Sequence, residues 1–141
     1  MSTGILLLAG GSVDGREFAS IRNTLGKTQE QLARLLGLSP KAVQSAEQEW
    51  RNISIQTERH LLFLLFLKVS SVENLQPCWL TRNCPSETRD RCPAWELNAG
   101  QLCWFVNGTI CRGREQDSWK KKMKICRQCE VFPLKKYLSS Q

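Results

Sequence analysis

Seven cysteines carry the most conspicuous chemistry in this 141-residue chain, and all lie in its second half: Cys78, Cys84, Cys92, Cys103, Cys111, Cys126 and Cys129. Only Cys126-Arg127-Gln128-Cys129 has the two-residue gap that brings two thiolates to one tetrahedral metal. The other five sit among tryptophans, prolines and glycines, which interrupt helices and long strands. So small and irregular a region buries little core and needs another staple. An odd cysteine count cannot pair fully within one chain, and in a reducing compartment such a set binds metal more often than it forms disulfides. Four thiolates can hold zinc or an iron–sulfur cluster, and spacing alone does not choose between them. All seven are therefore candidate ligands. Seven exceed one four-ligand site, and His60, the single histidine, reads as an ordinary polar residue on the preceding helix. The tryptophans read as core filler and a dry cover for the thiols. With one histidine, no Ser-His-Asp set and no phosphate loop, there is little to supply general acid–base chemistry, and the chain is not expected to be an enzyme.

The second chemistry-bearing stretch is a polar helix face. Over residues 40–50 the pattern predicts a helix with Val43, Ala46 and Trp50 on one side and Lys41, Gln44, Ser45 and Gln48 on the other. Ser39 suits its N-cap and Pro40 its first turn. The helix before it opens on Thr28-Gln29-Glu30-Gln31, a capping-box pattern, carries Leu32, Leu35 and Leu36 as its apolar positions, and ends at Gly37. Two short helices joined by such a turn form a helix-turn-helix, and a second helix with few acidic groups on its polar face fits a DNA major groove. Gln44 can offer donor and acceptor to an adenine edge, while Lys41 and Ser45 reach bases or phosphates. Gln29, at the start of the preceding helix, is placed for a phosphate. The candidate DNA-binding set is Gln29, Ser39, Lys41, Gln44, Ser45 and Gln48.

These faces need scaffolding elements. A helix is expected over residues 16–25 from Phe18, Ile21 and Leu25, and another over residues 55–69. The latter contains an apolar run, residues 61–67, with more hydrophobic surface than one face of a small bundle can bury, so the surplus should meet the cysteine region or a second copy of the chain. The expected organisation is an N-terminal extension (1–15), a helical domain (16–69), a linker (70–76), a cysteine-rich module (77–133) and a tail (134–141). The first 72 residues carry eight basic and six acidic side chains, the rest twelve and seven, within a net charge of +7. Basic excess suits a nucleic-acid partner. The run Trp119-Lys120-Lys121-Lys122-Met123-Lys124 can bind phosphates or form a solvated face. No apolar run nears the roughly 20 residues of a membrane helix, and residues 5–9 are too short for an export signal, so a cytoplasmic location without a membrane partner is expected.

Two resemblances follow. The stretch Thr28-Gln29-Glu30-Gln31-Leu32-Ala33, then Leu36-Gly37-Leu38-Ser39, then Val43-Gln44 and Glu47, resembles the Cro/lambda-repressor (XRE-type) helix-turn-helix family over about residues 16–68. It implies a bundle of four or five helices whose third reads double-stranded DNA, commonly as a homodimer on paired half-sites. Glu49 and Ile53 depart from the family's usual turn glycine and proline. The pattern Cys78-Trp79, Asn83-Cys84, Cys92-Pro93-Ala94-Trp95, Cys103-Trp104, Gly108-Thr109-Ile110-Cys111 and Cys126-x2-Cys129 looks like the two-CW cysteine domain, and implies a sensory or metal-binding accessory module. The expected fold is mainly α, with a repressor-like bundle followed by an irregular, metal-stabilised cysteine module. The expected function is a transcriptional regulator whose second half holds zinc or an iron–sulfur cluster and senses redox or metal state. A protein-interaction module or antitoxin with structural zinc, and an electron-transfer subunit, stay open.

Overall fold

A computed structural model describes residues 13–48, 53–70, 77–81, 83–111, 114–116, 118–129 and 132–138. The chain is mainly helical and divides into two compact units, one formed by Met1–Ser71 with Lys136–Gln141, the other by Val72–Lys135.

The first unit holds α1 (Gly15–Leu25), α2 (Gln29–Leu36), α3 (Pro40–Glu47) and α4 (Ile55–Val69). Polar caps set these boundaries. Asp14 and Glu17 form a reciprocal box at the start of α1, which places the cap one turn ahead of the apolar residues. At α2 the Thr28 hydroxyl accepts from the Gln31 amide at 3.1 Å, and the Gln31 side chain accepts from the Thr28 amide at 3.0 Å. Gly37 ends α2 at φ 71°, the left-handed region, so the Leu38 amide turns back to the Ala33 carbonyl at 2.8 Å. Ser39 then caps α3 by accepting from the Ala42 amide at 3.1 Å. Helix α3 closes at Glu47, with Gln48 as its C-cap; Trp50 and Glu49, expected within or beside this helix, lie outside the described residues.

Phe18, Ile21, Leu32, Ala33, Val43, Leu61, Leu62 and Leu65 form the buried interior. Each fully buried leucine contributes about 1.5–3 kcal/mol of transfer free energy, enough for a few helices to hold together. α2 and α3 pack on each other, and α1 packs on α3 and α4. Leu35, expected as an apolar face position, is instead 43% exposed, because Leu32, Ala33 and Leu36 supply the inward stripe. The apolar run of α4 divides: Leu61, Leu62, Leu65, Phe66 and Val69 are buried while Leu67 stays exposed. Buried Glu58 on α4 accepts from the Val13 amide at 2.7 Å and so ties down the chain entering α1.

The second unit is built from short pieces: α5 (Cys78–Thr81), α6 (Ser86–Arg91), α7 (Pro93–Glu96), a hairpin of β1 (Thr109–Cys111) and β2 (Arg114–Gln116), and α8 (Trp119–Cys126). Pro93 stands in the first turn of α7. The two strands are antiparallel, with Thr109 opposite Gln116 and Ile110 opposite Glu115. Trp104 is fully buried, with the rings of Phe105, Trp119 and Phe132 edge-on at 5.5, 6.3 and 5.8 Å. A 3-10 turn, Lys135–Tyr137, follows α8 in the chain, and Leu134 and Leu138 on either side of it are buried. Among the described residues no helix is long and apolar enough to cross a membrane.

Candidate functional site

Two sites emerge, one within each unit. In the first, α3 presents Lys41, Gln44 and Gln48 exposed along one stripe, with Ser45 half-buried at its margin. Ala42, Val43 and Ala46 are buried on the opposite side. Ser39 is exposed at the helix start, its hydroxyl occupied by the cap. Gln29 is half-buried, and its side-chain amide donates to Glu47 Oε1 at 3.0 Å, so it is held by α3.

That bond belongs to a network the sequence reading did not identify. Arg22 of α1 grips Glu47 with two donors, Nε to Oε2 at 2.5 Å and Nη2 to Oε1 at 3.1 Å. A third donor, Nη1, reaches the Lys27 carbonyl at 3.0 Å. The hydrogen bond to Glu47 raises the Arg22 pKa above its ordinary value, against the opposing effect of burial, and the opposite charge adds to the rise. Three helices are thereby locked together at the C-terminal end of α3. A signal was present: Glu47 follows Val43 by four positions and so borders the apolar side, where a carboxylate needs a partner.

In the second unit, Cys78, Cys84, Cys92, Cys103, Cys126 and Cys129 all line one cavity of about 300 Å³. The side chain of the seventh candidate, Cys111, is outside the described part. No disulfide joins any two of the six. The two cysteines of the Cys-Trp pairs meet: Cys78 and Cys103 are hydrogen-bonded through their side chains. That bond, with the Cys78 and Trp79 amides and the charge of Lys122, lowers the Cys78 pKa to about 7 against the opposing effect of burial. Cys103 is pushed up by the same bond, by burial and by the charges of Cys78 and Cys126. The Ile110 amide of β1 donates to Cys92 Sγ at 3.3 Å. Close approach of backbone holds the rim together. The Cys78 amide donates to the Gly100 carbonyl at 3.0 Å, and a Cβ on Gly100 would stand 2.6 Å from Pro77 Cβ and 2.8 Å from the Trp79 ring.

The basic run on α8 is not one solvated face. Lys120, Lys121 and Lys124 are exposed, but Trp119, Lys122 and Met123 are buried. Lys122 is completely buried, its ammonium donating to the Thr109 hydroxyl at 2.5 Å. Sequence reading missed this role, although Trp119, Met123 and Cys126 recur at helical spacing beside it. His60 lies exposed on α4. Among the described residues no three Cys, His, Asp or Glu side chains gather closely enough to hold a single metal ion. The donor set nonetheless has thiophilic chemistry: many thiols, Cys92 among them receiving a backbone N–H, in an aromatic and apolar surround.

No family model, curated protein or solved structure matches the chain.

Proposed function

We propose that this protein is a sequence-specific, double-stranded-DNA-binding transcriptional regulator of the Cro/lambda-repressor helix-turn-helix type, with a two-CW-like cysteine module that holds a thiolate-bound metal centre. The observation that carries the reading is the exposed stripe Lys41, Gln44 and Gln48 on a capped helix that follows α2 across a glycine turn. A major groove admits such a helix, and glutamine can bond both N6 and N7 on the major-groove edge of adenine. The net charge of +7 supplies the salt-dependent, sequence-independent part of the affinity. On this reading the regulator works as a homodimer on half-sites one helical turn apart, in a reducing cytoplasm, and its metal centre is sensory or structural.

The test is selection of a preferred DNA site by the full chain, followed by binding of Gln44→Ala to that site and to its single-base variants. Gln44→Ala is expected to lose about 1–3 kcal/mol on the preferred site and to discriminate less at one base position. Unaltered discrimination removes Gln44 from base reading. Absence of any salt-dependent DNA binding, with a tight protein partner recovered instead, favours an interaction module.

A further inference from the structure

The six described thiols of the second unit line one chamber, and no three of them gather around a single point. A tetrahedral zinc draws four sulfurs to about 2.3 Å, which sets them about 3.8 Å from one another. Among the described residues no such group exists, yet six cysteines surround about 300 Å³ of space. At about 30 Å³ per water, that volume would take roughly ten waters, far more than one ion fills. Ile110, Phe132 and Trp104 make much of the remaining wall apolar, which suits a bulky centre with few competing polar contacts.

Two cationic side chains also stand at the chamber. Lys122 is fully buried, its ammonium donates to the neutral Thr109 hydroxyl, and Thr109 lines the chamber. Among the described residues no carboxylate lies within ion-pairing distance of Lys122. Arg89, also on the wall, lies 4.1 Å from the centroid of the Trp95 ring, and its buried Nε has no hydrogen-bond acceptor among the described residues. A buried cation without a carboxylate partner is unfavourable unless another anion sits nearby. An iron–sulfur cluster ligated by four thiolates carries negative charge and supplies one.

We infer that this chamber binds a polynuclear iron–sulfur cluster of the [4Fe–4S] class through four of the six lining cysteines, with Lys122 as the buried cation that neutralises and positions it. The inference rests on the metal-centre part of the reading above and is independent of DNA recognition. Lys122 is a positioning residue, acting on the cluster through charge. Removing that charge disfavours the more negative, reduced cluster, so the midpoint potential of Lys122→Met should move negative.

The experiment uses the full chain purified without oxygen, then reconstituted with ferrous iron and sulfide in one arm and with zinc in the other. About four irons and four labile sulfides per chain, with a brown charge-transfer spectrum, are expected. Single Cys→Ser variants at the six positions should divide into four that lose the cluster and two that keep it. One tightly held zinc, with iron removable by a mild chelator, overturns the inference; so does a two-iron centre. If Lys122→Met does not fold, Lys122→Gln takes its place, and an unshifted potential in a folded, cluster-loaded variant overturns the role of Lys122. DNA affinity measured on the same preparations keeps the two proposals apart. Specific DNA binding by a colourless zinc protein removes only the cluster, and an intact cluster without DNA binding removes only the regulator.

Discussion

Replacing Glu47 by alanine should destabilise the first unit by about 2 kcal/mol. Its carboxylate receives three side-chain N–H groups, two from Arg22 at 2.5 and 3.1 Å and one from Gln29 at 3.0 Å. The Arg22 and Glu47 side chains are 18% and 9% exposed. Exposed ion pairs contribute about 0–1 kcal/mol, whereas breaking a fully buried pair costs about 3–5 kcal/mol. This pair falls between, because after truncation the guanidinium keeps the Lys27 carbonyl and some solvent. Glu47→Gln preserves volume and one acceptor oxygen and should lose less. The assay is urea unfolding of the full chain followed by far-ultraviolet circular dichroism, in a double-mutant cycle with Arg22→Met. A coupling of about 1–2 kcal/mol is expected, only weakly reduced by added salt because the pair is shielded. Additivity within about 0.3 kcal/mol would refute the reasoning, since the two side chains would then act independently. On the proposed function, the same variant should also weaken DNA binding, because Glu47 holds α3 against α1 and α2.

Two further perturbations probe the second unit. Gly100→Ala should cost about 1–3 kcal/mol, since the new Cβ overlaps Pro77 and Trp79 and displaces the segment carrying Cys78; an unchanged denaturation midpoint would show that this backbone yields freely. In metal-free, reduced protein near neutral pH, mass spectrometry after brief alkylation should find Cys78 modified before Cys103, because the shared hydrogen bond lowers one thiol to about 7 and raises the other. The sign for stability follows: the Cys78 contribution is present in full above the ordinary thiol pKa and fades as pH falls through about 7. Equal alkylation rates would contradict the assignment.

Much of the helical unit was legible because its signals are local. Thr28 with Gln31, Gly37, and Ser39 before Pro40 each act within one helical turn, and each caps or ends the helix expected of it. Leu35 departs from the expected pattern because apolar type does not ensure burial, and the partner helices leave it outside. Arg22 and Glu47 are 25 positions apart in the chain, so no local pattern joins them. In the cysteine half, thiol chemistry was readable from composition. The lysine run read as a stretch of like charge, and nothing in charge alone separates Lys122 from Lys121.

Amino-acid order by itself determined where helices start and stop and which side of α3 is polar, because caps, glycine turns and helical periodicity depend on near neighbours. It also set the stock of thiols. Tertiary structure alone decided that six cysteines spread over fifty-two positions surround one chamber, that the Cys78 and Cys103 side chains meet, and that Lys122 turns inward to Thr109. Those outcomes rest on packing among residues remote in the chain, where burial sets the electrostatics that spacing cannot express.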